Sequence, residues 1–150
     1  MVPPPRPSGP GRLHGLDAAL RRVGDRWTPL VLVELAAGDA TFGELSERLA
    51  GIAPNVLTRR LRALEADGLI SSVPYQQRPL RVRYQLSDTG RQLGSVWAAM
   101  GAWGSTHLSD GGDGAVAPAH GACGSDLELR WYCPACDEVV DADHDESVHL

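Results

Sequence analysis

His120-Gly-Ala-Cys123 and Cys133-Pro-Ala-Cys136 place four soft metal ligands in two pairs, each with two residues between its members. That spacing lets a tight turn aim both side chains at one ion, while N–H groups of the turn hydrogen-bond the sulfurs. Gly124, directly after the first pair, has no Cβ to obstruct a sharp turn. His120, Cys123, Cys133 and Cys136 therefore read as the tetrahedral ligands of a structural zinc ion, and four protein ligands leave no open position for a catalytic water. His144 and His149, in the acidic terminus, are alternative fourth ligands. The same thiols also suit a redox pair at Cys133 and Cys136, or three buried free cysteines. A zinc deaminase does not fit, because no His-x-Glu lies upstream and Pro134 follows Cys133 instead of preceding it. All three cysteines of the 150-residue chain lie beyond residue 119. An odd number of thiols without an export signal argues against a disulfide framework.

The second set of chemistry-bearing residues is basic. The net charge is −5, yet residues 1–108 hold 13 arginines against 9 acids, and residues 109–150 hold one against 10. Between Arg48 and Arg91 there are eight arginines and three acids, Glu65, Asp67 and Asp88. An acidic chain of this kind keeps a local patch suited to a nucleic acid. Asn55 has the donor and acceptor to pair with adenine, Arg59 or Arg62 with guanine, and Arg60, turned to the flank, is expected on a phosphate. Arg78, Arg81 and Arg83 are expected on the adjacent backbone or in the minor groove, adding a salt-dependent, sequence-independent term.

The elements that must position these residues are mostly helical. Leu16, Leu20 and Val23 share one helical face ending before Gly24. Thr28 with Pro29 reads as the start of a second helix, apolar on most faces and closed at Gly38. Thr41 and Glu44 form a capping box for a third, with Phe42, Leu45 and Leu49 as its buried stripe. After Gly51, Pro54 opens a helix over 54–67 whose Leu57, Leu61 and Leu64 face inward, so Asn55, Thr58, Arg59 and Arg62 fall on the opposite side. Two short helices about a glycine turn form a helix-turn-helix, the second helix being the one a major groove about 12 Å wide admits. LISSVPY and VRYQLS read as two strands joined by the QQRPLR loop, a β-wing centred on 74–83. Ser87 caps a long final helix with Leu93, Val96, Trp97, Met100 and Trp103 on one side, a face expected to pair two copies of the chain.

The fold class is thus mainly α with a small β-wing, a winged helix-turn-helix followed by a zinc-ribbon-like module. Residues 1–12 read as a disordered arm, 13–108 as the DNA-binding and dimerisation domain, 109–119 as a linker and 120–150 as the acidic metal-binding tail. Leu127, Leu129 and Trp131 alternate with Glu128, Arg130 and Tyr132, so a strand leads into the second thiol pair. No segment has the run of about 18 to 20 apolar residues needed to span a membrane, and a cytoplasmic location is expected. No nucleophile, base and orienting group form a catalytic motif, and no residue set assigns an inducer pocket. A zinc-ribbon adaptor, with the winged helix serving protein contacts, is the competing class.

The run VGDRWTPLVLVELAAGDATFGELSERLAGIAPNVLTRRLRALEADGLISS, followed by RYQLSDTG, resembles the HxlR-type winged helix-turn-helix regulators, similar in fold to the MarR group. The likeness spans about Leu13 to His107. It implies a homodimer on two half-sites of double-stranded DNA, regulating transcription as a repressor, with Asn55, Thr58, Arg59, Arg60 and Arg62 at the duplex. Several members of that family sense oxidants through a cysteine near the N-terminus. This chain has none before Cys123, so that sensing mode is expected to be absent or relocated.

Overall fold

The computed structural model describes residues 13–108, 120–128 and 130–140. The arm at 1–12, the linker at 109–119, Leu129, and His144 and His149 lie outside the described residues. The chain divides into two compact units, Met1–Gly94 and Ser95–Leu150.

In the first unit, α1 (His14–Val23) buries only Val23; Leu16 and Leu20 are exposed. Gly24 ends it, where a Cβ would stand 2.4 Å from the Leu20 carbonyl oxygen. Helix α2 (Trp27–Ala37) starts one residue before Thr28. Thr28 is not its cap: Asp25 takes that role, accepting the Trp27 and Thr28 N–H groups at 3.0 and 3.2 Å. A carboxylate two residues ahead of the helix reaches the orphan donors that a residue inside the first turn cannot. Val31, Leu32 and Leu35 bury one side of α2, whereas Leu30 and Val33 are exposed, so this helix is covered on fewer faces than its composition suggests.

Thr41 and Glu44 close the expected capping box on α3 (Phe42–Arg48), with Thr41 N–H 2.6 Å from Glu44 Oε2. Helix α4 (Pro54–Ala66) follows, with Pro54 in its first turn. Leu45, Leu57, Leu61 and Leu64, each at most 2% exposed, meet α2 in the core. Burial of each such side chain contributes about 1.5–3 kcal/mol. Gly68, at φ +69°, turns the chain into the hairpin.

Strands β1 (Ile70–Gln77) and β2 (Leu80–Leu86) pair antiparallel from Ile70↔Leu86 to Gln77↔Leu80, leaving a two-residue turn at Arg78-Pro79. The hairpin is longer, and its loop tighter, than the sequence suggests. Pro74 lacks an N–H and sits at the edge of a bulge, where the register shifts before Gln76. Ala40 bridges to Tyr84 through reciprocal hydrogen bonds of 3.1 and 2.8 Å, fixing the hairpin to the start of the helix-turn-helix. Ser87 caps α5 (Asp88–Gln92) by accepting Gly90 N–H at 3.0 Å. The single long helix expected after Ser87 is two helices. At Leu93 the N–H bonds back three residues to Gly90, at 3.2 Å, and Gly94 follows.

Helix α6 (Gly94–His107), which from Ser95 on belongs to the second unit, has no fully buried residue. The described tail of that unit holds an antiparallel hairpin, β3 (Trp131–Cys133) with β4 (Glu138–Val140). Among the described residues no helix is long and apolar enough to cross a membrane.

Candidate nucleic-acid interface

Helix α4 separates its residues as a groove-reading helix requires. Opposite the buried leucines, Asn55, Arg59 and Arg62 are exposed and Thr58 is half-buried. Asn55 Oδ1 accepts the Val56 N–H at 2.9 Å, and the Thr58 hydroxyl donates to the Pro54 carbonyl at 2.8 Å. Both bonds are local, so the helix start is ordered without any tertiary partner for these side chains.

Arg60 is placed differently from its neighbours. Its Nε lies 3.1 Å from Asp25 Oδ1, with both side chains 26% exposed. Asp25 Oδ2 accepts the hydroxyl of Thr28 at 2.5 Å, and Thr28 is the buried polar side chain of the core. Burial works against the Asp25 charge. It is outweighed by the Thr28 hydroxyl, the Trp27 and Thr28 N–H groups and the Arg60 guanidinium, which hold the carboxyl below its ordinary value. One carboxylate thus starts α2 and anchors α4. A helix start placed at Thr28 from the sequence misses Asp25; its carboxylate two positions before Trp27 is the signal that could have found it, whereas its pairing with Arg60, 35 positions on, has none.

The wing divides its arginines in the same way. Arg83 donates to the Asp39 carbonyl at 3.0 Å and to Glu44 Oε1 at 3.2 Å, and its guanidinium lies 5.8 Å from the Tyr75 ring centre. It ties β2 to the start of α3. Backbone and hydroxyl hydrogen bonds from Thr41, followed by the charge of Arg83, hold Glu44 below its ordinary value. Arg78 and Arg81, near the hairpin tip, are exposed. Among the described residues, Arg59, Arg62, Arg78 and Arg81 have no ion-pair partner, in contrast to Arg60 and Arg83.

Of the face assigned to pairing, Val96, Met100 and Trp103 are 46–60% exposed, whereas Leu93 and Trp97 are half-buried. Trp103 stacks on His107 with ring centres 5.3 Å apart. In the other unit, α1 exposes Leu16 and Leu20, and Leu13 precedes them, also exposed.

In the tail, His120 Nδ1 lies 3.2 Å from Cys123 Sγ. The Ser125 hydroxyl and N–H, with His120, pull the Cys123 thiol down to about 7. Cys133 and Cys136 hydrogen-bond each other; the Cys136 and Ala135 N–H groups lower the Cys133 thiol, and Cys133 in turn raises Cys136. The structure brings together the members of each pair. Among the described residues no group of three or more His, Cys, Asp or Glu is gathered tightly enough to hold a metal ion.

The HxlR-like helix-turn-helix family pattern matches residues 22–111. The HTH-type transcriptional regulator Rv3095 of Mycobacterium tuberculosis is 36% identical over 129 residues, 86% of this chain and 81% of the relative. A match of that length leaves at most 21 residues of this chain outside it, so it extends past the family pattern to residue 129 or beyond. The HTH-type transcriptional regulator YtcD of Bacillus subtilis is 36% identical over 63% of this chain and 75% of its own. The crystal structure of a regulator named YtcD superposes with a TM-score of 0.59, covering 62% of this chain and 95% of its own. The oxidised form of HypR, a redox regulator, gives a TM-score of 0.59 at 29% identity, over 63% of this chain and 98% of its own.

Proposed function

The chain belongs to the HxlR-like helix-turn-helix family of transcriptional regulators, and on that premise we propose that it is a cytoplasmic, homodimeric, sequence-specific DNA-binding repressor. The observation that carries this reading is the outward face of α4, where Asn55, Thr58, Arg59 and Arg62 stand opposite Leu57, Leu61 and Leu64. The N-terminal end of α4 enters the major groove. Asn55 exchanges its bond to Val56 for an adenine edge, and the Thr58 methyl meets a thymine methyl. Arg59 or Arg62 makes the bidentate contact to guanine. Arg78 and Arg81, at the tip of the wing, lie on the flanking phosphates. Arg60 and Arg83 contribute by holding α4 and the wing in place.

A second copy covers the exposed face of α6, with Val96, Met100 and Trp103. A twofold dimer presents two α4 helices to half-sites about one helical turn apart. Occupying that length of a promoter blocks access by polymerase, which is the simplest route to repression. The test is a gel shift of the full chain on the intergenic DNA beside its own gene. Arg62→Ala is expected to weaken specific binding by about 1–3 kcal/mol, roughly 5- to 150-fold, with little effect on binding to unrelated duplex. Equal losses on both DNAs would remove Arg62 from base reading, and no shift at any site would end the proposal.

A further inference from the structure

Beyond the regulator itself, we propose that residues 120–140 form a zinc module in which His120, Cys123, Cys133 and Cys136 bind one Zn²⁺ tetrahedrally. The family pattern ends at residue 111, so this segment lies outside what defines the regulator.

Both ligand pairs are built to the same plan from different sequences. Directly after the second ligand of each pair the backbone turns left-handed, at Gly124 (φ +72°) and at Asp137 (φ +57°). A glycine meets that requirement without strain. For Asp it is unfavourable, and it persists here where Tyr132 O–H donates to Asp137 Oδ1 at 2.6 Å. In the first pair, the Cys123 and Gly124 N–H groups both bond the His120 carbonyl, at 3.2 and 2.7 Å, so the two ligands end on one side of the turn. His120 Nδ1 then lies 3.2 Å from Cys123 Sγ, so the first pair already sets its two ligand atoms side by side.

Among its described residues the segment buries little apolar surface. Every described residue from 120 to 140 is exposed except Cys133 and Val140, which are half-buried. Leu127, Trp131, Tyr132 and Val139 are 46–58% exposed and form no core. Strands of three residues pair too little backbone to persist alone, and a segment of this size needs a staple. One imidazole and three thiolates select zinc over hard cations such as magnesium or calcium. Each pair supplies two ligands, and the ion is the link that joins them, contributing the free energy that apolar burial does not.

The experiment is metal analysis of the full chain, expressed in a reducing cytosol and purified without added metal. One zinc per chain is expected. Replacing that zinc with cobalt(II) should give the thiolate-to-cobalt charge-transfer and d–d bands of a tetrahedral site. Cys123→Ser, and Cys133→Ser with Cys136→Ser, are expected to fall below about a tenth of the wild-type zinc content, since each loses ligands the site cannot replace. Retention of the helical circular dichroism in those variants shows that the first unit remains folded. His120→Ala is expected to lose zinc as well. A wild-type chain isolated metal-free, with three titratable thiols or with a Cys133–Cys136 disulfide, would overturn the proposal. So would full zinc content in the double serine variant, and full content in His120→Ala would overturn the first pair.

Discussion

Arg60→Ala separates a framework arginine from a DNA-contacting one. Each arginine that neutralises a phosphate adds about 0.9 to the slope of log affinity against log salt, so a residue present twice in a dimer adds about 1.8. Arg60 has already committed its charge to Asp25, 3.1 Å away, with three-quarters of each side chain covered. Its removal is therefore expected to leave the salt slope within about 0.5 of the wild-type value. Asp25 keeps the Trp27 and Thr28 N–H groups and the Thr28 hydroxyl. No buried charge is orphaned, and the stability cost is about 1 kcal/mol. Arg81→Ala, at an exposed arginine without an ion-pair partner, is expected to reduce the slope by about 1.8. Fluorescence anisotropy on the intergenic duplex from about 50 to 200 mM salt reads the slopes, and urea denaturation reads the stability. An equal flattening by the two variants would refute the assignment, since it would mean that Asp25 releases Arg60 to the DNA backbone.

Gly90→Ala would bring a Cβ to 2.1 Å from the Leu69 carbonyl oxygen and 3.2 Å from Leu86 Cδ2. It is expected to cost about 3 kcal/mol or more, whereas Gly94→Ala, in open space, changes stability by less than about 1 kcal/mol; coincident urea midpoints would contradict this packing. Asp25 and Glu44 are held below their ordinary values of 3.8 and 4.5, so their contribution is fully present above those values and is lost as pH falls through the lower folded ones. Asp25→Asn should accordingly be less stable at neutral pH and lose less below about pH 4, and acid denaturation curves parallel to wild type would exclude the linkage. Met100→Asp combined with Trp103→Asp should yield a monomer in sedimentation, and an unchanged dimer mass would place the interface elsewhere.

The helices were legible because their signals are local. The Thr41–Glu44 capping box, Pro54 in the first turn of α4 and the Leu57, Leu61, Leu64 spacing each specify structure within a few residues, and each is found as read. Misreadings arose where a second partner decides the outcome. Thr28 looks like a cap, yet Asp25 competes for the same N–H groups from a better position. The residues after Ser87 carry one apolar pattern. Their break at Leu93, where the N–H bonds back to Gly90, has no signal in that pattern. In the tail, ligand spacing was visible, but the left-handed residue after each pair was anticipated only at Gly124, because Asp137 does not announce it.

The arginines show why residue type alone does not define a binding surface. All six candidate side chains carry the same charge, and the helical spacing that sets Arg60 to the flank does not tell which of them an acid from elsewhere in the chain will claim. The acids that sort them, Asp25 and Glu44, lie outside the basic stretch and arrive through α2 and α3. Their effect goes beyond subtracting two charges. Arg60 fixes α4 to the start of α2, and Arg83 fixes β2 to the start of α3, so the four unpaired arginines are held on two elements locked to one core. The base reading proposed for α4 depends on that rigidity, because a bidentate contact to a base edge is lost with a shift of about 1 Å, whereas attraction to phosphate survives it. Removing a framework arginine should therefore erode discrimination between sites more than it erodes salt dependence, the opposite of removing an arginine from the tip of the wing.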